Sequence, residues 1–181
     1  MIEKELSGSE MNLTTLTKDL ANYNLWANTK MTGWLKTKPS EKMVQEVPSS
    51  FPTIKLTLKH IADVQNFWLQ VIKQESPPDL GQFGEKSTQS MEEVFSMVEK
   101  SSKELSQYVH SLTENSITGP CQVETPWFNE TRPRFEFILQ VMNHSTYHRG
   151  QITTIGRNAG LTDAPMTDFN VYSFSGKPSC Y

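Results

Sequence analysis

From Leu13 onward, the apolar positions Leu13, Leu16, Leu20, Tyr23, Ala27, Met31 and Trp34 step by three and four. That spacing lines one face of an α-helix. A second stripe runs Ile54, Leu58, Ile61, Gln65, Trp68 and Ile72, and a third runs Met91, Val94, Val98, Ser101, Leu105, Tyr108 and Leu112. The last segment carries two interleaved stripes. One holds Phe137, Val141, His144, His148, Gln151 and Ile155; the other holds Ile138, Val141, Ser145, His148, Ile152, Ile155 and Ala159. Gly160 is a natural stop for it, as Gly119 and Pro120 are for the third. Pro39 and Ser40 end the first segment, Pro48 and Pro52 keep the next stretch irregular, and SPPDLGQFG at 76–84 is a clear break. In CQVETPWFNET, residues 121–131, the Val, Thr, Trp and Phe are strand-forming types, and Asn129-Glu130 is a candidate turn. This stretch reads as a short hairpin or an extended loop, with Pro126 against a strand. The tail from Leu161, with Pro165, Gly176 and Pro178, reads as irregular, and residues 1–11 and 173–181 are expected to fray.

Four amphipathic helices and little else predict an all-α fold, a four-helix bundle whose connections are longer than those of a minimal up-down bundle. The 181 residues suit one domain. With 36% hydrophobic and 20% charged residues the composition is that of an ordinary globular protein. A net charge of -3 without a basic block argues against nucleic-acid binding through phosphates. The two cysteines, Cys121 and Cys180, are not spaced as a pair and make a disulfide framework unlikely. The opening MIEKELSGSEMNL has no apolar core, so no signal peptide is expected, and no run approaches the roughly 18 apolar residues of a membrane span. A cytoplasmic protein is expected.

Two of the four histidines, His144 and His148, sit one helical turn apart within the apolar stripes of the last helix. Side chains at that spacing have Cβ atoms about 5–6 Å apart, which lets two ring nitrogens reach one ion at about 2.0–2.1 Å. Buried imidazoles need partners, either hydrogen bonds or a metal. The candidates for a third ligand are His60 and His110. His60 lies on the stripe His60, Val64, Phe67 and Val71 and can point inward; His110 is near the end of the third helix and off its stripe. His60 is preferred, with His110 as a surface residue. A bare H-x-x-x-H recurs by chance, so packed core histidines are the competing reading. No Glu-x-x-His occurs, which argues against a di-metal carboxylate site, and H-E-x-x-H, P-loop and G-x-S-x-G patterns are absent.

The segment NHSTYHRGQI, residues 143–152, resembles the H-x-x-x-H-R-G-Q helix of the DinB/YfiT-like superfamily of four-helix bundles. YNLWAN at 23–28, SSFPTIKLTLKHIADVQNFWL at 49–69 and PMTDFNVY at 165–172 are similar to further segments of that family, in the same order. The resemblance runs from about residue 13 to 172. It implies a divalent metal held by one histidine of the second helix and two of the fourth, here His60, His144 and His148. It also implies, for some members, transferase or isomerase activity with a low-molecular-weight thiol.

Three neutral imidazoles leave coordination positions open for water or substrate and suit zinc or nickel. Such an ion lowers the pKa of water or of a thiol, so hydrolysis and thiol transfer on a small molecule are the expected chemistries. The alternative is a bundle that binds a metal or a partner chain without catalysis, and a homodimer is compatible with either. Asn24 and Asn28 read as exposed helix polars, with the site mouth as the alternative. Tyr108 reads as core with one hydrogen bond, Arg149 as a salt-bridge residue, and Gln151 as a partner of His148 or a buried polar. Gly150 reads as a packing glycine, Trp26, Trp34, Trp68 and Trp127 as packing residues, Asp163 and Asp168 as caps or site covers, and Cys121 as a bystander.

Overall fold

The computed structural model describes residues 12–75 and 88–178. The break at 76–84, Cys180 and the first eleven residues fall wholly or largely outside them. Four long helices form where the apolar stripes predict them: α1 (Leu13–Leu35), α3 (Ile54–Lys73), α4 (Met91–Ser111) and α6 (Arg134–Asn158). Short helices α2 (Ser40–Met43), α5 (Glu114–Thr118) and α7 (Phe169–Phe174) lie between and after them. Side chains set the starts of α1, α3 and α4, whereas α6 follows Pro133 without a side-chain cap. Asn12 accepts from the Thr15 N–H at 2.9 Å, Thr53 from Leu56 at 3.1 Å, and Ser90 with Glu93 forms a reciprocal capping box. Gly160, at φ +89°, closes α6, with the Leu161 N–H returning to the Gly156 carbonyl at 2.8 Å.

In the bundle, α1 packs on α4 and α6, and α3 packs on the same two. The order around the bundle is therefore α1–α4–α3–α6. One apolar cluster collects Ala21 of α1, Phe67 and Ile72 of α3, Leu105 and Val109 of α4, and Phe137 and Val141 of α6. The other collects Met31, Leu58 and Ile61, Val94 and Val98, and Ile152 and Ile155. Read against chain direction, α1 and α6 run one way and α3 and α4 the other. Consecutive helices α3 and α4 are thus parallel, which no minimal loop can connect, in keeping with the long connections expected.

Between the two clusters all four long helices turn polar. Gln65 of α3 accepts from the Asn24 amide at 2.7 Å and the Asn28 amide at 3.3 Å, and donates to Ser101 at 2.8 Å and Ser102 at 3.2 Å. Arg149 of α6 donates to Asn24 at 3.1 Å, Asn28 at 2.8 Å, Thr146 at 2.8 Å and the Tyr23 hydroxyl at 3.3 Å. Two expectations fail here. Asn24 and Asn28 are 0% and 2% exposed rather than surface polars, and Arg149 is 2% exposed with no salt bridge among the described residues. Single-stripe counting misses them because the helix is covered on more than one side, so a second polar face is also buried.

The stretch 121–131 contributes to an antiparallel hairpin, β1 (Pro120–Glu124) with β2 (Asn129–Pro133). Its turn is Thr125–Phe128 rather than Asn129-Glu130: the Thr125 N–H bonds the Phe128 carbonyl at 2.9 Å, and Pro126 sits harmlessly in the turn. The tail is not wholly irregular. α7 docks Tyr172 against Tyr23 and Trp26, with ring centroids 5.8 and 5.4 Å away. The third helix ends at Ser111, before the expected Gly119, and α5 follows. Gly150 has open space where a Cβ would sit; close packing falls instead to Gly156, whose Cβ would meet the Trp34 ring at 3.2 Å.

Replacing Gln65 with Leu strips partners from two asparagines and two serines inside the bundle. It is expected to cost about 2–3 kcal/mol of stability, read as a lower urea midpoint with an unchanged slope. A midpoint equal to that of the wild type would contradict this.

Candidate metal centre

His60 of α3 faces His144 and His148 of α6 across the seam between those helices. The seam is pinned at one end by Arg134, the first residue of α6, whose Nε donates to the Ile72 carbonyl of α3 at 2.8 Å. With the helices antiparallel, this places the second turn of α3, which carries His60, opposite the middle of α6. His144 Nε2 lies 3.0 Å from His60 Nε2 and 3.0 Å from His148 Nε2. All three donor atoms fall within 4.8 Å of one another. Nitrogens bound to one ion at about 2.0–2.1 Å and separated by angles of about 90–110° stand about 2.9–3.4 Å apart, so the spacing fits a single ion.

The tautomers sharpen the fit. His148 Nδ1 is 2.7 Å from Gln151 Oε1, an atom that can only accept. The proton of neutral His148 therefore sits on Nδ1, and its Nε2 presents a lone pair to the cluster. His144 Nε2, between the other two, can carry at most one proton, and His144 Nδ1 is buried without a hydrogen-bond partner among the described residues. Hydrogen bonding alone serves this trio poorly, whereas a cation serves all three lone pairs.

Burial, with the neighbouring imidazoles second, pushes His60 down to about 4 and His144 down to about 3. His148 is lowered by burial too, against the opposing pull of Gln151. All three are neutral, and hence ligand-competent, at physiological pH. Phe51 lies over the cluster, stacked on His60 at 4.2 Å and edge-on to His148 at 5.7 Å. A backbone bond from the Val47 N–H to the Pro52 carbonyl, 2.7 Å, closes the loop that carries it. Phe51 was not singled out from the sequence; its proximity to Pro52 in an irregular stretch gives no periodic signal.

The remaining candidates are dispersed. His110 is exposed, with Nε2 2.9 Å from Asn22 Oδ1, far from the trio. Tyr108 donates to the Ile72 carbonyl at 3.1 Å, as a core tyrosine does. Asp163 accepts from Trp34 at 3.1 Å and pairs with Lys38 at 2.5 Å, and Asp168 precedes α7 without a side-chain cap. Cys121 is buried in β1, and burial raises its thiol pKa, which makes it a poor nucleophile. Trp127, expected to pack, is 69% exposed at the hairpin tip.

An antiparallel seam of a four-helix bundle bearing three converging neutral histidines defines a class of helical proteins with a candidate single-metal centre. Residues 11–177 match the model of the DinB family, and the chain belongs to that family. It is 32% identical over 168 residues to protein DinB of Bacillus subtilis (strain 168), an alignment covering 87% of this chain and 94% of that one.

The pKa shifts carry a stability consequence in metal-free protein. An unfolded histidine titrates near 6.5, the folded His60 near 4 and His144 near 3. Between these values the unfolded chain holds more protons, so stability rises with pH. The contribution is complete above the unfolded value and is lost as pH falls through 6.5 towards 4 and then 3. Urea midpoints in chelator at about pH 7 and about pH 4.5 should differ more in the wild type than in a His60→Gln, His144→Gln variant. Equal differences would remove the histidines as the cause.

Proposed function

We propose that His60, His144 and His148 hold one divalent metal ion, and that the protein is a metal-dependent enzyme acting on a small molecule by thiol transfer or hydrolysis. The observation that carries this is the meeting of three Nε2 atoms, adjacent pairs at 3.0 Å, with no other acceptor or donor to satisfy them among the described residues. An all-imidazole donor set suits zinc or nickel. When bound, the ion supplies Lewis acidity that lowers the pKa of water or of a low-molecular-weight thiol.

The chain's own groups do the positioning. Gln151 keeps the His148 proton on Nδ1 and turns its lone pair inward. Phe51 covers one side of the trio and restricts water there. Arg149, next to His148 in sequence, anchors α6 to α1 and so fixes the rotation of the helix that carries two of the three ligands. A cytoplasmic setting fits a buried free thiol at Cys121, and no helix among the described residues is long and apolar enough to cross a membrane. Neither the net charge of -3 nor any feature of the seam favours nucleic acid as substrate.

A second reading, a metal- or partner-binding bundle without catalysis, draws on the exposed Trp127, Leu139 and Tyr147, which would suit a homodimer. Azide or imidazole binding to the metal-loaded protein separates the two, since a closed coordination sphere marks a structural ion.

Elemental analysis of tag-free protein should find about one equivalent of metal in the wild type and in His110→Ala, and almost none in His148→Ala. Metal retained by His148→Ala, or lost in His110→Ala, would overturn the ligand set. Gln151→Leu should keep the fold yet weaken metal affinity about 10- to 100-fold, measured by competition with a chelating dye. Unchanged affinity would show that Gln151 does not orient His148.

A further inference from the structure

Along α3 the residues His60, Val64 and Phe67 step by four and three, so the face that bears the histidine continues as an apolar strip towards the end of the helix. The β1–β2 hairpin brings its tip onto this strip. The Phe128 ring lies nearly parallel to Trp68, with centroids 6.5 Å apart, and Trp68 stacks in turn on Phe137 at 5.2 Å. Val64, Phe67, Trp68, Trp127, Phe128 and His144 together line a recess of about 240 Å³. Its one polar side chain is His144, the middle member of the trio.

A second recess of about 430 Å³ lies beside Gln151, the partner of His148, and its lining mixes Val47, Pro48 and Ile155 with Ser49, Tyr147 and Thr154.

We propose that the aromatic recess seats a ring-sized apolar group of the substrate, placing the atom next to that group at His144. The inference rests on the metal reading of the trio for its chemistry but not for binding in the recess. Size supports it. A dry cavity of about 150 Å³ holds a benzene ring, and pockets for whole drug-sized ligands run from about 300 Å³ upward. A volume between these takes one substituted ring and leaves the remainder of the molecule to the trio. The wall chemistry agrees, since flat aromatic faces favour a flat apolar guest in offset or edge contact. Trp127 supplies the third argument. It is 69% exposed, although an indole of this size normally buries most of its surface. Its place on the rim of the recess gives that surface a function, to close over a bound ring.

The test uses two fluorinated probes and the full chain loaded with zinc, followed by fluorine NMR. Para-fluorobenzyl alcohol carries the ring alone, and para-fluorobenzyl mercaptan adds a thiol. The alcohol should bind the wild type and lose about tenfold in affinity in Trp127→Ala, a substitution at an exposed site that leaves the fold intact. Val64→Phe, which fills the recess, should weaken it as well. His148→Ala should keep alcohol binding and abolish only the extra, zinc-dependent affinity of the mercaptan. Alcohol binding that Trp127→Ala leaves unchanged overturns the proposal. So does binding that disappears in His148→Ala alone, which would put the probe on the metal. A dimer that Trp127→Ala converts to monomer, with probe affinity unchanged, assigns the rim to a second copy of the chain and also overturns it. A mercaptan that gains nothing from zinc, beside an alcohol that behaves as expected, leaves the recess standing and removes the metal reading alone.

Discussion

A buried layer of hydrogen bonds across the middle of the bundle is the constraint on which the rest depends. Asn24 and Asn28, Gln65, Ser101 and Ser102, and Arg149 bring one or two polar side chains from each long helix to the same level. Apolar packing above and below tolerates some sliding and rotation, because dispersion contacts have no preferred direction. A network of donors and acceptors does not, since each missed pairing leaves a buried polar group unsatisfied. Arg149 raises the stakes further. It is a buried cation answered, among the described residues, by neutral oxygens of Asn24, Asn28, Thr146 and Tyr23 and by the face of the Tyr23 ring 5.4 Å away, and burial lowers its pKa. Those four oxygens are the solvent it has in place of water.

The candidate centre inherits its geometry from that layer. His148 and Arg149 are neighbours on α6, so fixing the guanidinium towards α1 fixes the imidazole towards α3. His60 comes up on the opposing helix because Arg134 ties the start of α6 to the end of α3. Small errors in either helix's rotation would separate the His60 and His144 nitrogens, which now stand 3.0 Å apart across the seam. A rigid polar layer beside a site of fixed donors is the arrangement a preorganised metal centre requires.

Much of this was legible in the residues themselves. The four long helices follow from steps of three and four. Both His144 and His148 fall on apolar stripes of one helix, and His60 on a stripe of another. Illegible were the features that depend on which helices touch. Asn24 and Asn28 look like surface polars until α3, α4 and α6 cover them. Gly150, beside the histidines, looked like the packing glycine, yet it is Gly156 that faces Trp34. The turn at Thr125–Phe128 was obscured because Asn129-Glu130 carries an equally plausible turn composition. The helix at Phe169–Phe174 is too short for periodicity to register, and it is held by Tyr172 packing on α1.

By itself the sequence determined the all-α class, the positions of the four long helices and which histidines could face inward, because those are consequences of local periodicity. Only the tertiary structure decided the order α1–α4–α3–α6, the joining of buried amides and a buried arginine into one layer, the stacking of Phe51 on the histidines, and the recess that Trp127 and Phe128 share with His144. Most of those contacts join residues far apart in the chain, and their free energy exists only once the helices have chosen their neighbours. No local pattern along the chain encodes that choice.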